Sequence, residues 1–417
     1  MDKIIIKGGR RLKGVVTISG SKNASLPIIA ASLLANSNVT LENIPQLRDV
    51  TTMIKVITAL GARVEIKRQV LNINPEGFKC KEAPYQLVRT MRASIYVMGP
   101  LLAKFGYAKV SLPGGCVIGV RPINLHLKGF EKLGAKVKIE HGYVEAKAKK
   151  LKGAEIDLDC PSVGATANLM MAATLAQGKT VIRNAAKEPH IVDLGNFLKK
   201  MGAKIKGYGT DCISITGVRE LSGCIHEIIP DYIEAGTFIT CAAITKGNVI
   251  LNKVPVSDLE TVISKFKEAG VSIIEESPNS LRIKMSKNIK AIDINTSPHP
   301  GFPTDMQAQW MAVMSVANGT SVITESIWEN RFMHVAELRR MGADITLDGN
   351  TAIIKGVKSL SSAQVMVSDL RAGAALVIAG LTAKGETEIS RIYHLDRGYE
   401  KIEEKLVRLG ADIKRIK

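Results

Sequence analysis

Hydrophobic and polar positions follow one order along this chain, and the order recurs six times. Each round opens with a stretch rich in Ala, Leu, Ile and Met that is apolar on nearly every side, over 26–34, 93–103, 165–176, 232–244, 306–317 and 370–381. A helix without a polar face is one buried all round. A Gly or Asn turn follows, and then an alternating strand such as Val39-Thr40-Leu41-Glu42-Asn43-Ile44. An amphipathic helix comes next, with 193–201 and 258–269 as clear cases, and it feeds two short strands, as over 64–74.

The second helix of every round stops at a glycine: Gly61, Gly134, Gly202, Gly270, Gly342 and Gly410, spaced 68 to 73 residues apart. Glycine takes the left-handed backbone that ends a helix at little steric cost. A period this regular means one supersecondary unit used six times. The 417 residues exceed what one core supports, ~250–300, so three units per domain is the natural division. The sixth round lacks a final strand after Lys417, and Lys3-Ile4-Ile5-Ile6-Lys7-Gly8 has the pattern of Thr351-Ala352-Ile353-Ile354-Lys355-Gly356. The expected domains are therefore 21–229, and 1–20 with 230–417. Two chain crossings near Gly20 and Pro230 would act as a hinge, and the active site is expected in the cleft between the domains.

Charge narrows the ligand class. The net charge is +18 with only 4% aromatic residues, too few stacking platforms to favour single-stranded nucleic acid. Roughly half of the excess reads as ordinary solvated surface charge, and for the rest anionic small molecules fit better than nucleic acid. The six cysteines form no Cys-x-x-Cys pair, so neither a zinc site nor a disulfide framework is suggested. No apolar run reaches the ~20 residues of a membrane span, and the start is too short in apolar length for a secretory signal. A cytoplasmic protein without metal or membrane insertion is expected.

The starts of the six buried helices share one phase of the repeat and should point the same way. Ser162, Asp231 and Ser368 are explained there as helix caps. Lys22, Arg92 and Arg371 are not, because a cation in the first turn opposes the helix dipole by about 0.3–1 kcal/mol. Repeating that cost suggests anions bound where free N–H groups converge. A second signal is the segment Ser111-Leu112-Pro113-Gly114-Gly115-Cys116-Val117-Ile118-Gly119-Val120-Arg121-Pro122, whose glycines and prolines specify a loop. Cys116, five residues from Arg121, is read as a reactive thiol, its pKa lowered from ~8.5. The other five cysteines read as inert.

With these features in hand, the chain resembles the UDP-N-acetylglucosamine 1-carboxyvinyltransferases, the enolpyruvyl transferases that open peptidoglycan synthesis. The resemblance runs end to end. It rests on Gly20-Ser21-Lys22-Asn23, on 112–122 around Cys116, on Ser162-Val163-Gly164-Ala165-Thr166, on 298–309, on Glu329-Asn330-Arg331-Phe332-Met333-His334 and on Asp396-Arg397-Gly398-Tyr399-Glu400. It implies an α/β fold of two similar inside-out α/β barrel domains, with buried helices and outer sheets. It also implies transfer of the enolpyruvyl group of phosphoenolpyruvate to the 3-hydroxyl of UDP-N-acetylglucosamine, with release of phosphate and no cofactor.

By the same resemblance Lys22, Arg121 and Arg397 hold phosphoenolpyruvate. Cys116 protonates its methylene carbon and can carry a covalent adduct, and fosfomycin is expected to alkylate it. Asp305 is the base for the sugar hydroxyl, and Asp369 assists proton movement. Asn23 contacts the sugar, while Arg92, Arg331 and Arg371 complete the cationic site. Arg121, Pro122, Ile123, Asn124 and Leu125 line the nucleotide. Ser162, Val163 and Gly164 face the diphosphate, and Ile327 covers the sugar. Cys160 stands where some members carry Lys, and Asn124 where others carry Asp. The competing readings are enolpyruvyl transfer to shikimate 3-phosphate, which needs no loop thiol, and an RNA-binding repeat protein.

Overall fold

A computed structural model describes residues 2–112 and 123–417. They group into two compact units, 20–112 with 123–229, and 2–19 with 230–417. Each has its own apolar core.

In the first unit the helices Lys22–Ala31, Met98–Phe105 and Val163–Ala173 pack on one another and are buried over most of their length. In the second, Tyr232–Ile244, Gln307–Met314 and Leu370–Thr382 do the same. These are the apolar stretches of the sequence. The second and fifth are entered through a 3-10 turn, Arg92–Val97 and Thr304–Met306. A helix without a polar face has nowhere to go but inside, so each of these helices is buried in the core of its unit.

The described residues form six four-stranded sheets. In each, a short strand pairs in parallel with the strand that follows a buried helix, and two further strands join antiparallel, as a hairpin in five of the six. The sheet of Val39–Glu42 borrows Ile225–Glu227 as that first strand, and the sheet of Asn248–Asn252 borrows Lys13–Thr17. Lys3–Lys7 lies between Glu386–Ser390 and Asp412–Ile416, antiparallel to both. The N-terminal strand thus completes the last sheet, as its pattern suggested. Strands such as Val70–Asn74 bury every second side chain, leaving the other face to solvent.

The sheets stay separate, each with two edges, so no hydrogen-bonded cylinder closes among the described residues. The architecture is mixed α/β with helices inside and sheets outside. All six repeated glycines have positive φ, between 86° and 109°, the backbone that a side chain would strain. Their regular spacing is this requirement met once per unit.

Candidate functional site

In the unit of 20–112 and 123–229, Lys22 is the first residue of its helix, and the Ser21 hydroxyl caps that helix by accepting from Ala24 N. The ammonium reaches Asp49 Oδ2 at 2.7 Å, and both side chains are more than nine-tenths buried. Asp49 lies in the first turn of the Arg48–Ala59 helix, where a carboxylate suits the dipole. The cation at the first helix start is therefore answered by a carboxylate of the protein. Asn23 beside it is half-buried.

Ser162 caps Val163–Ala173, its Oγ accepting from Ala165 N at 3.3 Å. Ser162, Val163 and Gly164 are all partly exposed. Gly164 is glycine for a local reason: a Cβ there would meet His126 Nε2 at 3.0 Å. His126 sits on Asn124–Lys132, and its Nδ1 accepts from Asn168 Nδ2 at 2.9 Å. Asn168 also donates to Ile95 O and accepts from Gly99 N, so it is fully engaged and fixes the ring. Burial, aided by the Arg92 charge, lowers the His126 pKa to about 3. The imidazole is neutral at any ordinary pH, with its proton on Nε2, toward Gly164. Ile123 is buried, Leu125 half-buried and Asn124 exposed at the helix start. Cys160 is exposed. Cys116, Arg121 and Pro122 lie outside the described residues.

In the other unit, Asp305 occupies the Thr304–Met306 turn. Arg331 Nη2 donates to its Oδ1 at 2.8 Å and Arg371 Nη2 to its Oδ2 at 2.9 Å. The arginine side chains are 3% and 2% exposed, the carboxylate 27%. Burial opposes ionisation of Asp305, but Arg371 and Arg331 outweigh it and hold the carboxyl well below the usual carboxylate range. The same pairing holds Arg371 above its ordinary value against the effect of its own burial. Tyr399 stacks beneath Arg371, and its hydroxyl is shared among Arg371 Nη1 at 3.3 Å, Thr237 Oγ1 at 2.9 Å and Gln309 Nε2 at 3.2 Å.

Asp369 departs from expectation. It, and not Ser368, caps Leu370–Thr382: its Oδ1 accepts from the amides of Arg371 at 2.8 Å and Ala372 at 3.1 Å, while Ser368 donates to Oδ2. Asp and Ser cap about equally well, and it is Asp369 that holds the extended backbone directly before Leu370. Its charge also reaches His334, whose pKa burial lowers to about 4. Arg397 ends the Leu395–Arg397 turn, and the neighbouring Asp396 is gripped by both Nη atoms of Arg415, at 2.5 and 3.2 Å. The Ile327 amide donates to Glu325 Oε1 at 2.9 Å.

Asp49, His126, Asn168, Tyr399 and Glu325 were not among the expected site residues. The sequence signal for His126 was a histidine on an otherwise apolar helix face, indistinguishable there from a core histidine. Among the described residues, no group of three or more His, Cys, Asp or Glu could hold a metal ion, and no helix is long and apolar enough to cross a membrane.

One unit thus holds the buried Lys22–Asp49 pair, and the other holds two buried arginines on a partly exposed carboxylate that stays ionised. Comparison with known proteins gives this chemistry a lineage. Residues 6–406 match the family model of EPSP synthase (3-phosphoshikimate 1-carboxyvinyltransferase). The UDP-N-acetylglucosamine 1-carboxyvinyltransferase of Geobacter metallireducens is 58% identical over 417 residues, covering 100% of both chains. UDP-N-acetylglucosamine 1-carboxyvinyltransferase 1 of Caldanaerobacter subterraneus is 60% identical over 413 residues, 99% of both. Among solved structures, the enolpyruvyl transferase NikO from Streptomyces tendae superposes with a TM-score of 0.90 at 24% identity, covering 99% of this chain and 98% of that one. An EPSP synthase from Acinetobacter baumannii superposes at 0.79 with 21% identity over 100% of both chains. The fold is thus shared well beyond recognisable sequence, and the chain belongs to the EPSP synthase family of enolpyruvyl transferases.

Proposed function

We propose that this chain transfers the enolpyruvyl group of phosphoenolpyruvate to the 3-hydroxyl of UDP-N-acetylglucosamine, releasing phosphate, as an early step of cell-wall peptidoglycan synthesis. The observation that carries the reading is the end-to-end identity of 58–60% with relatives bearing that activity in their names. The EPSP synthase structures that share the fold are only about a fifth identical to this chain, and their acceptor is not inferred from the fold.

The chemistry divides into addition and elimination. In addition, the acceptor hydroxyl gives its proton to Asp305 and its oxygen bonds to C2 of phosphoenolpyruvate, while an acid protonates the methylene carbon. In elimination, a proton leaves the new methyl group, the C=C bond re-forms and phosphate departs with the C–O pair. Cys116 is assigned as the acid. The ionised state of Asp305 supports its part as the base: each carboxylate oxygen accepts one guanidinium N–H and keeps a second lone pair. Its partial exposure leaves that lone pair within reach of a hydroxyl.

Lys22, Arg121 and Arg397 are assigned to the carboxylate and phosphate of the donor, Lys as a point charge and Arg as a fork. Arg92, Arg331 and Arg371 add positive charge. Lys22 and Arg371 already have carboxylate partners in Asp49 and Asp305, so the donor joins existing pairs and does not fill empty ones. Asp369 is assigned to proton movement through Oδ2, since Oδ1 serves the helix amides. Asn23 and Ile327 are assigned to the sugar. Ile123, Asn124 and Leu125, with Arg121 and Pro122, are assigned to the nucleotide, and Ser162, Val163 and Gly164 to the diphosphate. With an exposed Cys160 where some members carry Lys, the amides at that helix start take a larger share of the diphosphate charge.

Fosfomycin is assigned as a covalent inhibitor at Cys116, and the cytoplasm as the place of action. The deciding experiment is phosphate release from phosphoenolpyruvate with UDP-N-acetylglucosamine, with shikimate 3-phosphate, and with neither. Release only with the first supports the reading; release only with the second overturns it.

A further inference from the structure

Glu325 is 2% exposed, and its carboxylate meets four hydrogen-bond donors, none of them a cation. Thr296 Oγ1 donates to Oε1 at 2.9 Å, the Ile327 amide at 2.9 Å and the Trp328 amide at 3.2 Å; Thr304 Oγ1 donates to Oε2 at 2.8 Å. Burying a carboxylate is costly unless its lone pairs are filled. An amide has one oxygen and could not serve four donors, whereas a carboxylate has about four acceptor sites.

The donors come from three places. Thr296 begins, and Thr304 ends, a loop that holds Pro298, Pro300 and Pro303. The loop carries two backbone bonds of its own, Ser297 N to Phe302 O at 3.0 Å and Gly301 N to Pro298 O at 2.9 Å, and its prolines supply no further N–H, so the Glu325 carboxylate adds the side-chain link between Thr296 and Thr304. Thr304 immediately precedes Asp305, and Ile327 is the assigned sugar contact. Thr296 strengthens the knot, since its hydroxyl accepts from Ser326 N at 3.0 Å and its amide donates to Thr324 O at 3.0 Å. The Asp305 side chain is fixed by two arginines, while its backbone is fixed through Thr304.

We propose that Glu325 is a positioning residue for the transfer: its carboxylate ties the turn carrying Asp305 to the turn carrying Ile327, and so sets the base relative to the acceptor sugar. This rests on the function proposed above. The two oxygens make the tie separable. Oε2 serves the side of Asp305 alone, and Oε1 serves the Ile327 turn and the start of the loop. A knot that merely stabilised the fold would lower the melting temperature and leave the folded enzyme's kinetics unchanged.

The test uses the full-length enzyme and steady-state phosphate release with both substrates varied, alongside thermal melts. Wild-type turnover with UDP-N-acetylglucosamine comes first, and its absence would defeat the proposed function before Glu325 is tested. Thr304→Val removes only the Oε2 donor and should lower kcat about tenfold, a small displacement being enough for that, with KM for UDP-N-acetylglucosamine within about twofold of wild type. Thr304→Ser restores the hydroxyl and should restore kcat. Glu325→Gln should lower kcat and also raise that KM; if it fails to fold, the Thr304 pair still decides. Thr304→Val with wild-type kcat, or equal losses in Thr304→Val and Thr304→Ser, would overturn the proposal.

Discussion

Arg371 donates from Nη2 to Asp305 Oδ2 at 2.9 Å across 66 positions of sequence. With Arg331 on the other oxygen, the pair makes Asp305 an ionised carboxylate that is geometrically fixed and weakly basic before any substrate arrives. A base so depressed works when the hydroxyl it serves is being made acidic by bonding to the donor at the same moment. It also works when an incoming anion draws charge from the arginines.

Asp305→Asn should therefore preserve the turn but lower turnover by about a hundredfold or more, the scale for loss of a positioned base. The amide can accept from one arginine and turns its own N–H toward the other, so the melting temperature should fall as well. Nucleotide binding, followed by calorimetry, should persist. A near-normal rate from the folded variant would reduce Asp305 to an anchor for Arg331 and Arg371.

Much of the fold was legible because its causes are local. A left-handed glycine must end each second helix, and apolar helices must lie inside, so both left a period in the sequence. The spare strand at the N-terminus could be placed for the same reason. Lys22 and Arg371 were legible as charges at helix starts, and Asp305 through the family resemblance. Their contacts were not: Asp49, Arg331 and Tyr399 arrive from other segments, and no spacing announces such contacts, although the resemblance had named Arg331 for the site. Nor did the apolar reading of the inner helices separate Asn168, Thr237 and Gln309 from the surrounding Ala and Met, although these polar groups hold the site's side chains. The cap at Asp369 was misplaced by one residue, because Ser368 and Asp369 are both good caps and only the backbone decides.

Two buried histidines weaken the fold in acid. The folded-state pKa is about 3 for His126, through burial and then Arg92, and about 4 for His334, where burial and Arg331 outweigh Asp369. In the unfolded chain both titrate near ~6.5. Between that pH and the folded values the unfolded state binds more protons, so stability is fully present above ~6.5 and is lost as pH falls toward 4 and below. Urea melts should show a lower midpoint at pH 5 than at pH 7.5, and His334→Gln should recover part of the difference. Equal wild-type midpoints at the two pH values would contradict this.

Glu234 and Lys405 form an ion pair at 2.7 Å, with side chains 3% and 15% exposed, and Glu234 Oε2 also accepts from Ser19 N at 2.6 Å. Burial raises the Glu234 pKa against the opposing pull of Lys405. Lys405→Met should leave an uncompensated buried carboxylate and cost about 3–5 kcal/mol, whereas adding Glu234→Gln should return most of it. Denaturant melts of the two single variants and the double variant measure the coupling. Additive losses would show that the pair contributes no more than its separate contacts.

Cys116 should be the thiol that fosfomycin labels. The other cysteines limit the alternatives: burial pushes Cys241 up to about 12 and raises half-buried Cys224, so neither offers much thiolate at neutral pH. Cys80, Cys160 and Cys212 are exposed and are the competitors. Cys116 has Arg121 five residues on in a glycine-rich stretch, and nearby cationic charge favours the thiolate that attacks. The phosphonate of fosfomycin can take the subsite assigned to the donor's phosphate and hold the epoxide against the sulfur, which makes attack effectively intramolecular. The sulfur then bonds to an epoxide carbon, the C–O bond opens and the oxygen takes a proton. Cys116→Asp should keep a proton donor and retain activity while abolishing the adduct. Peptide mass spectrometry after stoichiometric treatment is the measurement. Label on Cys80, Cys160 or Cys212 in place of Cys116, or full activity with Cys116 labelled, would remove the thiol from the donor subsite.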